Sequence, residues 1–150
     1  MLRDVILRLV VSGIGVFVGI LGFFVLCVGY GNHDVGFWAV LATVFAGVCF
    51  HLHWVYGRNA LEVCHTTRSL RILTHVGFAV GVIGAAGIIW YLFLTFYRNI
   101  TSPTVAENTV IAAVWAFMSG KWGFTLMYYG TKYEVIIREN PSSMLSQDGA

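Results

Sequence analysis

Apolar residues run almost unbroken over residues 9–30, 35–56, 72–97 and 109–131, and polar residues are largely confined to what lies between. A helix needs roughly 20 apolar residues to cross the hydrocarbon core of a bilayer, and each run reaches that length. Backbone in hydrocarbon must hydrogen-bond to itself, which favours helices for such runs. The pattern predicts an all-α polytopic membrane protein with four transmembrane helices, a single domain over residues 1–138, and a polar tail over 139–150 that is expected to be disordered. The first run carries Gly13, Gly15, Gly19 and Gly22, small residues that let helices approach closely. Its length, Arg3 and Arg8 ahead of it and the lack of a small-residue cleavage site argue against a removable signal peptide. Gly31, Asn32, His33 and Asp34 read as a turn, and residues 57–71, with Arg58, Glu62, His65, Arg68 and Arg71, as a loop or a short amphipathic helix along the membrane surface.

Composition agrees with this picture: of 150 residues, 58% are hydrophobic and 11% charged, and the mean hydropathy is +0.78. Four spans leave no room for a separate soluble domain. The net charge of +2 is scattered among helix ends, so no nucleic-acid partner is expected. Cys27, Cys49 and Cys64, odd in number and beside apolar runs, read as free thiols. Arg3, Arg8, Arg58, Arg68, Arg71, Lys132 and Arg138 fall on one side and Arg98 on the other, which predicts both termini in the cytosol. His51, His53, His65 and His75 then lie toward the cytosolic half and His33 at the outer side. The sequon Asn99-Ile100-Thr101 is outer but so close to a span that it is expected to be unused, and Tyr133 to Ile136 fits a weak sorting signal for endosomes or lysosomes. No ATP-binding glycine loop and no paired carboxylates inside the spans are present, so no energy source is visible; the chain is not expected to be an enzyme. With so few helices per subunit, a homo-oligomer surrounded by membrane lipid is expected.

The stretch over residues 114–133, VWAFMSGKWGFTLMYYGTKY, which includes most of the fourth run, carries an ionisable residue in its interior, Lys121. Helical spacing puts Lys121, Tyr128 and Lys132 on one stripe with Phe117 a turn earlier, and Trp115, Ser119, Trp122 and Tyr129 on an adjacent one. Aromatic faces, hydroxyls and ammonium groups along one side suit a flat, partly anionic ligand; the competing reading is a packing face with one snorkelling lysine. The second run ends in CFHLHWVYGRN. His51 and His53 point about 200° apart on a helix, so one at most faces a given ligand, whereas His53 and Tyr56 share a side. Trp90, Tyr91, Phe96 and Tyr97 form an aromatic belt at the far end of the third run.

The fourth run resembles the VWSFIS-KWAF pattern with a tyrosine-rich end found in the HRG (heme-responsive gene) family of heme transporters. The resemblance extends to the length, the four spans, a histidine near the end of the second with a tyrosine three residues on, and the pair Leu70 and Arg71 before the third. It implies movement of heme from outside the cell, or from an endolysosomal lumen, to the cytosol, at the plasma membrane or an endosome or lysosome membrane. It assigns the heme-ligating histidine to His53, with His51 or His33 as alternatives, and sets the family's aromatic-basic FARKY motif on Tyr129, Gly130, Thr131, Lys132 and Tyr133, with Thr131 in place of the first basic residue. The outer loop YRNITSPTVAEN lacks the histidine that family members often have there, which leaves Tyr97 or His33 as an outer ligand.

Heme suits these residue types. Its iron takes imidazole or phenolate, its propionates pair with Lys or Arg, and its macrocycle stacks on aromatic rings. The implied relay runs from Tyr97, Arg98 and His33, along Trp115, Lys121 and Trp122, to His53, Tyr56, Tyr129, Lys132 and Tyr133, with heme as transported substrate. Two alternatives are a heme-b membrane oxidoreductase subunit pairing His51 or His53 with His75, and a helper protein that transports nothing itself.

Overall fold

The computed structural model describes residues 2–98, 104 and 107–139. Helix α1 covers Leu2–Gly22 and continues as a π-helical stretch over Phe23–Gly29; α2 covers His33–Gly57, α3 Leu61–Cys64, α4 Thr67–Arg98 and α5 Thr109–Glu139. Four of these segments, α1 with its π extension, α2, α4 and α5, are long and apolar enough to cross a membrane, and no strand occurs among the described residues.

The helices outrun the apolar runs, because a helix continues past the hydrocarbon edge as long as its end is capped. Helix α1 begins at Leu2 rather than Leu9, with Asp4 in its first turn where the helix dipole favours a negative charge. The turn expected over Gly31 to Asp34 is confined to its first half. Asn32 caps α2, its Oδ1 accepting from the Val35 N–H at 3.1 Å, so His33 and Asp34 are already helical. Gly31 takes φ +73°, a backbone region that glycine enters without strain. Similarly, Thr66 Oγ1 accepts from the Ser69 N–H at 3.2 Å, and α4 starts at Thr67; Arg68 and Arg71 belong to this long helix and not to a loop. Only Leu61–Cys64 of the expected surface segment forms a separate helix. The sequon at Asn99 and the tail from Asn140 lie outside the described residues.

The most extensive contact is between α4 and α5, then between α1 and α2, and α2 against α5 joins these two hairpins. Helices α2 and α5 are consequently the better buried pair. Glycines set the approach. Gly84 meets the Gly120 backbone between α4 and α5, while Gly15 and Gly22 of α1 lie under the rings of Trp122 and Trp115. Near the loop end of the bundle, Ser119 Oγ donates to the Trp38 carbonyl at 2.8 Å and Trp38 Nε1 donates to the Tyr91 hydroxyl at 3.1 Å, linking α5, α2 and α4. At the opposite end, which carries the start of α1 and the end of α5, Glu134 accepts from Arg71 at 2.8 Å and from Arg138 at 2.7 Å.

Candidate functional site

His53 lies one turn before the end of α2, on the side that faces α5. It is 2% exposed. Its Nδ1 is 2.8 Å from the hydroxyl of Tyr133, itself fully buried. The Tyr129 ring, one helical turn earlier on α5, stands edge-on to the imidazole with centroids 4.5 Å apart. Tyr56 stacks on Tyr133 at 4.7 Å and 18°, completing a cluster of three tyrosines and one imidazole from two helices. The spacing explains the convergence: His53 and Tyr56 are three apart on α2, Tyr129 and Tyr133 four apart on α5, so each pair occupies one helix face.

The cation of this cluster comes from α1. The Arg8 guanidinium sits 5.0 Å over the Tyr129 ring and reaches the Tyr133 hydroxyl. Sequence reasoning had counted Arg8 only as a charge flanking the first span. Nothing in its local pattern marks it, since its partners are more than 100 residues away and only the packing of α1 brings them near. Lys132 is exposed whereas His53 and Tyr133 are buried, and none of the cluster contacts involves it. Thr131 turns its hydroxyl back to the Met127 carbonyl at 3.0 Å.

The two stripes read from the fourth run face different surroundings. Trp115, Ser119 and Trp122 are buried, with Trp122 3% exposed and both indoles pressed on glycines of α1. Phe117, Lys121 and Tyr128 look outward, and Lys121 lies 5.0 Å over the Trp122 ring. The expected ligand face of Trp115, Lys121 and Trp122 is therefore divided: the indoles fill the contact between helices, and the lysine is on the outer surface.

At the loop end, Tyr97 is 78% exposed and its ring stacks on Phe93 at 5.8 Å; Arg98 is exposed beside it. His33 contacts Cys27 Sγ at 3.8 Å. His51 points away from His53, as the 200° spacing requires, and meets His65 with ring centroids 5.5 Å apart. Burial first, and then the facing His51, hold the His65 imidazole below its ordinary pKa. His75 is exposed and bonds through Nδ1 to the Arg71 carbonyl at 2.7 Å, so its hydrogen bond is to its own helix and not to His51 or His53. Among the described residues, no three His, Cys, Asp or Glu side chains gather in a way that could hold a metal ion. The arrangement can supply an imidazole, phenol hydroxyls, aromatic faces and a guanidinium to one bound molecule.

Residues 70–122 match a family model described as "Haem-transporter, endosomal/lysosomal, haem-responsive gene", abbreviated HRG. The chain is 26% identical over 133 residues to heme transporter hrg-1 of Caenorhabditis elegans, an alignment that covers 87% of this chain and 68% of that protein. No solved structure matches.

Proposed function

We propose, from the match of residues 70–122 to the HRG model and the likeness to heme transporter hrg-1, that this chain is a heme transporter of that family and carries heme from the extracellular side or an endolysosomal lumen to the cytosol. The observation that carries the reading is the cluster of His53, Tyr56, Tyr129, Tyr133 and Arg8 at the end of the bundle holding the start of α1 and the end of α5. Basic residues concentrate at that end, which supports reading it as the cytosolic one.

His53 is the iron ligand in this reading. With Nδ1–H donating to Tyr133, the Nε2 lone pair is the one available to iron, and the hydrogen bond fixes the ring and raises its basicity. The imidazole is buried, so iron reaches it only after the cover opens. Arg8 is that cover. A propionate offers the guanidinium a bidentate, charge-assisted partner that a phenol ring does not, and so draws it off Tyr129. Tyr129, Tyr56 and Tyr133 then present faces for the macrocycle. One imidazole without a second axial histidine from the same cluster holds heme less tightly than a bis-histidine pair, which suits a carrier that must release its cargo. Tyr97, Arg98 and His33 remain the groups for heme arrival at the outer end.

Uptake of a fluorescent heme analogue into heme-auxotrophic cells, and into liposomes holding the purified chain alone, tests the proposal. Wild type should transport in both systems, and His53→Ala at equal membrane abundance should lose most of that uptake. Unchanged uptake by His53→Ala would remove the residue from the mechanism, and transport in cells but not in liposomes would mark the chain as a helper of another carrier.

A further inference from the structure

An open groove of about 550 Å³ runs between α4 and α5. Its floor is flat because Gly81 and Ala85 of α4 and Gly120 of α5 carry little or no side chain there. Phe117, Phe124 and Tyr128 stand along it, with the Phe124 ring lying over Gly81. The volume is within the range of pockets that hold a small organic ligand.

One charge breaks the apolar lining. Lys121 projects into the groove about 18 Å along α5 from its start, at 1.5 Å per residue, and therefore near the middle of the span. That depth is beyond the reach of snorkelling to either membrane surface. Among the described residues no carboxylate forms an ion pair with it, and its ammonium rests 5.0 Å over the Trp122 ring. A cation held at such depth is costly and points to an anionic partner. At one end the groove is lined by Tyr129, whose ring edge touches His53.

We propose that this groove is a lipid-side docking site for the porphyrin itself, entered laterally from the bilayer, with Lys121 pairing with a propionate and Phe117, Phe124 and Tyr128 covering the macrocycle. The inference rests on the heme-transport reading for its cargo, but it assigns to the ring and its acids a binding step that needs no iron. A molecule seated there is separated from His53 by one side chain, Tyr129. The site thus supplies a waiting position in the membrane before iron is ligated.

Metal-free protoporphyrin IX isolates this step, since it has the ring and both carboxylates but nothing for His53 to bind. Its fluorescence anisotropy would be titrated with the full chain in lipid nanodiscs, alongside protoporphyrin IX dimethyl ester. Wild type should bind the acid, Lys121→Arg should retain it, and Lys121→Met should weaken it about tenfold, toward the affinity for the ester. Ala85→Trp, which fills the floor from an exposed position, should abolish binding of both. Equal binding of the acid by wild type, Lys121→Met and Ala85→Trp overturns the assignment whatever heme uptake does. Failure of wild-type heme uptake with these binding differences intact would sink the transport reading and leave the groove standing. Ala85→Trp that splits an oligomer without changing porphyrin binding would show a second copy of the chain as the occupant, and would also overturn it.

Discussion

One hydroxyl makes the hydrogen bond that ties the imidazole to the rest of the candidate site. Tyr133 stacks on Tyr56 through its ring and holds His53 Nδ1 through its oxygen, two tasks that substitution can separate. Tyr133→Phe keeps the stack and deletes the hydrogen bond. The buried Nδ1 is then left without a partner, and stability should fall by about 1–3 kcal/mol. Loss of an oriented partner for a metal-ligating histidine costs about 10–100-fold in affinity, so heme titrated by its absorption should bind at least about tenfold more weakly. Unchanged affinity would mean that Tyr133 serves the packing alone. At this scale the sequence was informative wherever spacing is local: His53 with Tyr56, and Tyr129 with Tyr133, are helical neighbours on any straight helix. Arg8 was not legible, because no periodicity relates it to residues 129 and 133, and Lys132 was the nearer candidate by sequence but is exposed and takes no part in the cluster contacts.

The helices show why glycines that look alike in sequence differ in their consequences. Gly13 and Gly22 both belong to α1 and both read as generic small residues. A methyl group at Gly13 would meet the Phe50 ring at 3.7 Å, an ordinary contact, whereas at Gly22 it would enter the Trp115 ring. Gly13→Ala should therefore be neutral or stabilising by up to about 1 kcal/mol through helix propensity. Gly22→Ala should destabilise by about 1–3 kcal/mol, because the indole is wedged in a packed interface and has to leave its rotamer. Thermal unfolding of both variants in detergent checks the opposite signs. The same contacts explain the division of the fourth run. Its aromatic and lysine stripes were visible as neighbours, but which one faces protein depends on how α5 is rotated against α1 and α4, and those glycines set the rotation.

For the whole molecule, the connection between the two hairpins carries a pH-sensitive pair. His51 of α2 faces His65, which lies between α3 and α4, and burial and the His51 charge both disfavour protonated His65. Its folded pKa is lowered, so the stabilising contribution is present above the ordinary value of 6.5 and is lost as pH falls through the lower folded value. The melting temperature should drop as pH is lowered from about 7 toward 5, and His65→Gln should make that slope shallower. An equal slope in the variant would place the pH response elsewhere. Near this junction, Glu134 gathers Arg71 and Arg138, so the arginine of the Leu70 and Arg71 pair, noted in sequence as a family likeness, fastens α4 to α5.

The sequence by itself determined the four spanning helices, the concentration of basic residues at one end and the presence of imidazole and phenol groups near it. Each follows from composition and from periodicity within one helix, which the backbone must obey in hydrocarbon whatever its neighbours do. The tertiary structure alone decided that Arg8 joins the cluster of His53 through the Tyr129 ring, that Trp115 and Trp122 fill helix contacts, and that Lys121 opens on an outer groove. These depend on the rotation and depth of one helix against another, and that is fixed by steric fit between side chains far apart in the chain.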